Sequence, residues 1–292
     1  MGAFAILEPA VAGTWYPSGR NDLASLVDRL LDEATSRATG AGKGTVAVVV
    51  PHAGFAYSGA VAASAFRLLS GASPSRVVIL GPSHYFGFRG AAIPSGLSGQ
   101  KTPLGVVPFD LPALDALRAS PVVRSDDRAF APEHALEAEM PFLQRVLDAE
   151  IPLVPVLLGG GATHAEAVRL ASDLQPLVDA RTAIVVSSDF THYGERFGYV
   201  PFRDEIPRRL RDLDLGAVTT IVSGDGPAFA GYVDETGATI CGRRAIDVLL
   251  ALRPGGSSGA LIEYDASGRI TGEWEHSVSY ASIAFPPSES RP

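Results

Sequence analysis

Short apolar runs bounded by glycine and proline alternate along the chain with segments whose apolar residues recur at helical spacing. The runs predict strands, and the periodic segments predict helices. The predicted strands cover residues 45–50, 76–80, 153–158 and 182–187, with a closing strand pair at 260–265 and 278–285. The predicted helices cover residues 21–38, 60–69, 133–148, 164–180, 203–222 and 240–252. Continuous apolar strands are typical of a sheet covered on both faces. We therefore expect an α/β fold, a sandwich with a mostly parallel central sheet flanked by helices.

No internal repeat or linker divides the sequence, so we expect a single domain over residues 1–292, with a disordered tail from about residue 286. The chain has a formal charge of −8, whereas proteins that bind nucleic acids typically carry an excess of basic residues. No apolar run is long enough to cross a membrane, and we expect no signal peptide in the opening residues, which lack a basic region and a cleavage pattern. The single cysteine excludes an internal disulfide. These features indicate a cytoplasmic protein.

Histidine-bearing loops follow three of the predicted strands. His52 follows the strand at 45–50, His84 follows the strand at 76–80, and Asp189 and His192 follow the strand at 182–187. Ligands of open α/β sheets bind beyond the carboxyl ends of the strands, where such loops meet. The sequence therefore predicts that His52, His84 and His192 converge on one site.

Cys241 stands at the start of the predicted helix 240–252, next to Arg243. A helix N-terminus and neighbouring arginines should lower the pKa of this thiol. Two chemistries fit the set. His52, His84 and Cys241 could hold iron, copper or zinc, because imidazole and thiolate suit these metals. Alternatively, Cys241, His192 and Asp189 could form the nucleophile, base and orienting acid of a thiol hydrolase. Sequence spacing does not choose between them.

A second group of residues is expected to line or support the same pocket. His134 and Glu137 lie three residues apart at the start of the predicted helix 133–148 and can face the same way. Trp15, in a Trp-Tyr-Pro sequence, is either a packing anchor or a pocket wall. The remaining members of this group neighbour the residues named above; they are Ser83, Ser188, Tyr193 and Arg243.

Taken together, these segments resemble the Memo family, the B component of the AmmeMemoRadiSam set. The resemblance covers nearly the whole chain in order. The matching segments are Ala12-Gly13-Thr14-Trp15-Tyr16, Pro51-His52-Ala53-Gly54, Gly81-Pro82-Ser83-His84, Glu133-His134-Ala135-Leu136-Glu137, Ser187-Ser188-Asp189-Phe190-Thr191-His192-Tyr193, Thr239-Ile240-Cys241-Gly242-Arg243 and Val278-Ser279-Tyr280-Ala281.

The resemblance implies a fold similar to that of class III extradiol dioxygenases, which hold iron(II) with two histidines and a carboxylate. It places His52 and His84 at the two histidine-ligand positions and His192 at the position of the acid–base histidine. Cys241 stands where those enzymes have a glutamate. A thiolate changes donor softness and redox behaviour, so dioxygenase activity does not transfer automatically. Iron(II) is the expected metal, with copper or zinc as alternatives.

The sequence therefore predicts a metal-binding protein with a dioxygenase-like pocket, in which Asp189 and His192 are the catalytic groups of redox chemistry on a small molecule. One alternative is a non-catalytic protein that binds a peptide or small ligand in the same cleft. Another is the metal-free Cys-His hydrolase. The resemblance further implies partner proteins of the radical SAM and AMMECR types.

Overall fold

The computed structural model describes residues 5–35, 46–147, 150–252 and 258–286. The strands are β1 (Ala5–Leu7), β2 (Ala47–Val50), β3 (Arg76–Pro82), β4 (Ala91–Ile93), β5 (Leu97–Thr102), β6 (Gly105–Pro108), β7 (Val123–Ser125), β8 (Leu153–Leu158), β9 (Thr182–Ser187), β10 (His192–Tyr193), β11 (Ala260–Ala266) and β12 (Ser277–Phe285). The α-helices are α1 (Arg20–Thr35), α2 (Phe55–Phe66), α3 (Leu111–Leu117), α4 (Met140–Val146), α5 (His164–Leu174), α6 (Ile206–Val222), α7 (Gly226–Thr236), α8 (Arg243–Leu252) and α9 (Ser267–Thr271). Short 3₁₀ segments include Arg67–Leu69, Asp127–Ala129, Glu137–Glu139, Gln175–Leu177, Glu195–Phe197 and Trp274–His276.

The central sheet has four parallel strands in its middle, in the order β2, β9, β3 and β8. On one side β12 pairs antiparallel with β2, and both β10 and β11 pair with β12. On the other side β4 pairs antiparallel with β8, and β7 lies parallel to β4. The predicted parallel sheet is confirmed for the middle strands, whereas the flanking pairs that involve β12, and the β4–β8 pair, are antiparallel. A separate small sheet contains β1, β5 and β6.

Helices cover the sheet on both faces. Strands β2, β8 and β9 are buried along their whole length, as expected for strands that are apolar throughout, such as β2 and β8, or apolar between polar ends, such as β9. Helix α2 packs against β2, β11 and β12, and α1 and α4 pack against α2. Helix α8 packs against β3, β8 and β9, and α5 and α7 pack against α8. None of the helices in the described ranges is long and apolar enough to span a membrane.

Three predicted helices begin later than expected. One is α6, predicted over residues 203–222, which begins at Ile206. In the predicted helix 133–148, a 3₁₀ turn begins at Glu137, and α4 begins only at Met140, with a proline in its first turn. The Glu133 carboxylate captures the backbone N–H groups of His134 and Ala135 and holds this segment in an irregular conformation. Likewise α8 begins at Arg243, so Cys241 lies in the turn before it.

Several predicted segments extend beyond the described residues. These are the end of the helix 21–38, the first residue of the strand 45–50, the end of the helix 133–148 and the expected tail beyond residue 286. The closing strand pair is confirmed, because β11 and β12 are antiparallel neighbours over six paired positions.

Candidate metal centre

The loops that follow β2, β3 and β9 meet at one edge of the sheet because these strands are parallel neighbours. His52 is buried and its ring centroid lies 5.2 Å from that of His84. His134 comes from the segment before α4 and lies against both, with ring centroids 5.6 Å from His52 and 4.6 Å from His84. We call His52, His84 and His134 the histidine cluster.

The histidine cluster could hold a metal ion. One ligand atom from each of its three side chains lies within 4.8 Å of the other two, and no other histidine, cysteine or carboxylate group of this kind occurs among the described residues. His134 is expected from the sequence to line the pocket, and the structure places it among the possible ligands.

Glu133 orients His84. Its Oε1 lies 2.9 Å from His84 Nδ1, and its Oε2 accepts the backbone N–H of His84 at 2.6 Å. Burial alone would raise the pKa of this carboxyl, but its hydrogen bonds and charge interaction with His84 hold the pKa below its usual range. An ionised carboxylate only accepts hydrogen bonds, so His84 carries its proton on Nδ1 and leaves Nε2 free for a ligand.

Ser187, the last residue of β9, is the partner of His52 Nδ1, at 2.7 Å from the ring nitrogen to Oγ. The other ring nitrogen of His52, Nε2, lies 3.4 Å from Cys241 Sγ. Burial and the neighbouring histidines lower the pKa of His52 well below its usual range, so the ring is neutral at pH 7. Cys241 is thus adjacent to one member of the histidine cluster.

The structure corrects the prediction that the Cys241 thiol has a lowered pKa. Burial and the negative charge of Asp189 raise the pKa of this thiol in the metal-free chain. The arginines that were expected to favour the thiolate are engaged elsewhere: Arg243 pairs with Asp234 at 3.3 Å, and Arg244 donates to Asp247 at 2.7 Å. The direction of the pKa shift predicted from the helix start and the neighbouring arginines is therefore wrong, because desolvation of the buried thiol outweighs both effects.

Asp189 ties the loop after β9 to the loop after β2. Its Oδ1 accepts the backbone N–H of His52 at 2.9 Å. Burial raises the pKa of this carboxyl to about 7, so it can exchange a proton near neutral pH. The expected acid–base role of Asp189 stays a prediction, and the structure adds a positioning role for the same side chain.

His192, at the start of β10, presents an unengaged nitrogen. Its Nε2 is buried and has no hydrogen-bond partner in the described part of the chain. Burial, with a smaller contribution from His84, lowers the pKa of His192 to about 4. Its ring lies against Phe197, with centroids 5.2 Å apart. A neutral imidazole with a free nitrogen suits a proton acceptor, and its electrostatic interactions with His52 and His84 indicate that the three rings are near one another.

Glu137 holds the N-terminal segment that carries Trp15. The Glu137 carboxylate accepts the backbone N–H groups of Ala10 and Val11, at 2.7 Å and 3.1 Å, and also the hydroxyl of Tyr16. These bonds hold the segment in which the Trp15 ring lies 4.1 Å from that of His134. Trp15 is therefore a wall of the histidine cluster, and Glu137 supports that wall.

The other predicted neighbours separate into two groups. Ser188 joins two loops, because its Oγ accepts the N–H of Gly242 at 3.0 Å and donates to Asp189 O at 2.9 Å. Ser83 directly precedes His84, and its buried Oγ has no hydrogen-bond partner among the described residues. Tyr193 instead stacks on Phe202, with ring centroids 5.2 Å apart, and Arg243 pairs with Asp234. Within the described ranges, no hydrogen bond, ion pair or ring contact joins either side chain to the histidine cluster.

Sequence reasoning missed three supporting residues: Glu133, Ser187 and Glu139. Glu133 directly precedes His134, and an acid beside a candidate ligand was a usable signal. Ser187 is the last residue of a predicted strand, directly before the loop that carries Asp189 and His192. Glu139 gave no comparable signal, since its contact with Ser187 joins residues 48 positions apart.

The comparisons with known proteins agree with this set of motifs. A model of the family described as Memo-like protein matches residues 7–284. The chain is 33% identical over 285 residues to the Protein memo-1 homolog of Caenorhabditis elegans, covering 93% of this chain and 80% of that one. It is 34% identical over 288 residues to a MEMO1 family protein of Methanopyrus kandleri, covering 95% and 98%.

The crystal structure of an uncharacterized protein from Escherichia coli K12 is similar with a TM-score of 0.47 and 16% identity, over 73% of this chain and 86% of that one. The family assignment depends on the sequence matches, which span nearly the full chain and include every segment of the histidine cluster. The chain therefore belongs to the Memo-like family.

Proposed function

We propose that this chain is a metal-dependent redox protein in which His52, His84 and Cys241 bind iron(II) and a small molecule reacts beside them. The observation that carries the proposal is the orientation of the first two rings. Each has its Nδ1 held by a polar partner, Ser187 or Glu133, at 2.7 Å and 2.9 Å. Histidines that bind metals in proteins are held in this way at their second ring nitrogen.

The available donors fit such an ion. Imidazole nitrogens and a thiolate suit iron, copper or zinc, whereas magnesium and calcium prefer oxygen. A bound iron(II) ion would supply Lewis-acid and redox chemistry at its open positions. Deprotonation of Cys241 would accompany binding, since only the thiolate is a strong ligand. His134 is the other candidate for the third position, because it belongs to the histidine cluster.

The surrounding residues supply proton transfer and a partly apolar entrance. His192 Nε2 is free to accept a proton, and Asp189, with a pKa of about 7, can hold or release one. Trp15 lies on His134, and Tyr85, which is 55% exposed, places its hydroxyl 3.5 Å from His134 Nδ1. These rings can bind the apolar part of a small substrate and exclude water from it.

Metal analysis tests this proposal. Protein prepared anaerobically without chelator is titrated with iron(II), copper and zinc, and bound metal is measured by calorimetry and elemental analysis. We expect one iron(II) per chain, with binding greatly weakened in His52→Ala and His84→Ala and unchanged in His276→Gln, which replaces an exposed histidine. Weakening by Cys241→Ser but not by His134→Gln would identify the third ligand as the thiolate. Equal binding by all variants would contradict the proposal.

A ring-cleavage assay tests the dioxygenase comparison. With iron(II) and catechol in air-saturated buffer, we expect weak or no extradiol product, because a thiolate stands in place of a carboxylate. Strong formation of the coloured ring-opened product would show that the thiolate does not prevent that reaction.

A groove beside the site favours a second candidate, a non-catalytic protein that binds a peptide or small ligand. The groove has a volume of about 700 Å³, and Trp15, Tyr57, Arg29 and Arg269 are among its lining residues. Its lining residue Trp15 also contacts His134 of the histidine cluster. Ligand binding that survives removal of the metal and is lost in Trp15→Ala, without turnover of any substrate, would support this candidate.

The metal-free hydrolase has less support. The raised pKa of the Cys241 thiol opposes a nucleophilic thiolate at neutral pH, and the partners of Sγ include His52 Nε2 and the carbonyl of Asp189. Partner proteins of the radical SAM and AMMECR types, and a cytoplasmic location, stay predictions.

A further inference from the structure

We propose that Ser83 is a substrate-binding residue whose hydroxyl group donates a hydrogen bond to an oxygen atom of the small molecule in the pocket. The inference rests on the proposed function, because that molecule is the substrate of the proposed reaction. It starts from an unsatisfied group. Ser83 is 9% exposed, and its Oγ is buried without a hydrogen-bond partner among the described residues.

The ladder between β3 and β8 continues through Ser83 and determines the face on which its side chain lies. One residue beyond the end of β3, the backbone N–H of Ser83 donates to the carbonyl of Leu158 at 2.8 Å. Side chains two residues apart in a strand lie on the same face, so Ser83 shares the face of Gly81. A Cβ atom added to Gly81 would lie 3.5 Å from Ser187 Cβ and 3.4 Å from Ala135 Cβ. Ser83 therefore lies on the face of the sheet that carries Ser187, the partner of His52.

The register of the sheet aligns Ser83 with two residues of the site. Strands β2, β9 and β3 are parallel neighbours, and by continuation of their register His52, Asp189 and Ser83 form one row just beyond the strand ends. The bond from the N–H of His52 to Asp189 Oδ1, at 2.9 Å, shows that the first two members remain adjacent. Ser83 is thus the third member of a row whose other two members belong to the proposed reaction site.

The hydroxyl group lies where the buried sheet meets the open pocket. His84 follows Ser83 directly, 27% of its side chain is exposed, and its ring lies 5.2 Å from that of His52. Ser83 therefore has one ring of the histidine cluster in its row and another next to it in the chain. A small molecule bound at these two rings is within reach of the hydroxyl group.

An equally buried serine shows what is unusual about Ser83. Ser120 is 8% exposed, and its Oγ donates to Asp173 at 2.6 Å and accepts the N–H of Val122 at 3.3 Å. A buried hydroxyl group without such partners destabilises the folded chain. Alanine at position 83 would remove this cost. The hydroxyl group of Ser83 is satisfied only when a bound molecule supplies the missing partner.

The chemistry of the hydroxyl group indicates what it can bind. A serine hydroxyl donates one hydrogen bond and accepts two, so it suits a hydroxyl, carbonyl or carboxylate oxygen. Trp15 and Tyr85 lie beside the histidine cluster and can contact an apolar part of the same molecule. The substrate class is therefore a small molecule that combines an apolar part with an oxygen close to the metal ligands.

Urea denaturation of the metal-free, ligand-free protein gives the first test. Ser83→Ala should leave the denaturation midpoint unchanged or raise it, because no partner within the described chain is lost. Ser120→Ala is the matched control and should lower the midpoint, since it removes two hydrogen bonds. A fall for Ser83→Ala as large as that for Ser120→Ala would show a structural role and would overturn the inference.

Binding of 4-nitrocatechol, a coloured aromatic probe with two hydroxyl groups, gives the second test. Anaerobic spectroscopic titrations are made with and without iron(II). We expect Ser83→Ala to bind the probe about 5- to 10-fold more weakly than the wild type, which is the effect of one hydrogen bond. Ser120→Ala should bind it as the wild type does. Iron(II) affinity, measured by calorimetry, should be the same in all three proteins.

Equal affinity of the wild type and Ser83→Ala for the probe, or no binding by the wild type in either form, would overturn the inference. A loss of iron(II) affinity in Ser83→Ala would also overturn it, because the hydroxyl group would then support the metal ligands. Failure of the proposed function looks different. A wild type that binds no iron(II) would contradict that function, and weaker probe binding by metal-free Ser83→Ala would still support Ser83 as a binding residue.

Discussion

Glu133 Oε1 accepts the ring N–H of His84 at 2.9 Å, and the same oxygen accepts the backbone N–H of His134 at the same distance. One carboxylate thus holds two loops that carry members of the histidine cluster. The two rings lie nearly parallel, at an interplanar angle of 13°. Glu133 therefore fixes the geometry of the site, although it does not belong to the histidine cluster.

Replacing Glu133 by glutamine should weaken metal binding. The neutral amide is a poorer acceptor for the His84 ring N–H and can present a donor to it, so the orientation of His84 is lost. We expect iron(II) affinity to fall by about 10- to 100-fold in calorimetric titration. Glu195→Gln, in an exposed ion pair with Arg203, is the matched control and should bind as the wild type. Unchanged affinity in Glu133→Gln would exclude this role.

The Cys241 thiol should react slowly with iodoacetamide in the metal-free protein at pH 7. Its raised pKa lowers the thiolate fraction at that pH, so the rate should keep rising beyond about pH 9, above the range of an ordinary thiol. Because Cys241 is the single cysteine, mass spectrometry reports it alone. Protein unfolded in guanidinium chloride should show the ordinary profile. Rapid labelling of the folded protein at pH 7 would instead indicate a stabilised thiolate.

Gly242 should tolerate no side chain. A Cβ atom at this position would lie 2.4 Å from Ser188 Cβ and 2.7 Å from the carbonyl oxygen of Ser187. Gly242→Ala must therefore displace a loop of the site, and we expect a loss of about 1–3 kcal/mol in the free energy of unfolding.

Gly231 offers the matched control, since it lies in α7 with no atom within 4 Å of an added Cβ. Gly231→Ala should raise the free energy of unfolding by roughly 0.5–1 kcal/mol, because alanine loses less backbone entropy in a helix. Urea denaturation measures both changes. Equal effects of the two substitutions would show that close approach at Gly242 is not important.

Glu137→Gln should release the segment that carries Trp15. The amide places an N–H₂ group near the N–H groups of Ala10 and Val11, so both donors, of which that of Val11 is buried, lose an acceptor. We expect a loss of about 2–3 kcal/mol in unfolding free energy, against about 1 kcal/mol for Tyr16→Phe, which removes one bond. Trp15 fluorescence, measured with the other tryptophan replaced in Trp274→Phe, should shift to the red in Glu137→Gln. An unshifted spectrum would mean that other contacts hold Trp15.

The middle of the sheet could be predicted from sequence because burial on both faces favours continuous apolar runs, as in β8 and in the middle of β9. Strand β5 was missed, since Leu97–Thr102 contains glycine, glutamine and lysine and alternates irregularly between buried and partly exposed positions. Strand-end position was enough to bring His52 and His84 together. It could not place His134, whose segment is shaped by the distant partners of Glu133.

The error at Cys241 has a similar origin. Helix position and neighbouring arginines are local features, and they favour a thiolate. Burial and the approach of Asp189 depend on residues about 50 positions earlier, and they dominate. Sequence reasoning therefore identified the chemical groups of the site more reliably than their protonation states.

The pocket is assembled from parts of the chain that are far apart in sequence. Glu137 binds the backbone of Ala10 across 127 positions, and Cys241 contacts His52 across 189. During synthesis on the ribosome, the first two histidines of the cluster emerge long before Cys241 does. Contacts of such long range form late in folding. A nascent chain would therefore lack Cys241, and with it the complete set of proposed metal ligands, until more than four-fifths of the chain had been made.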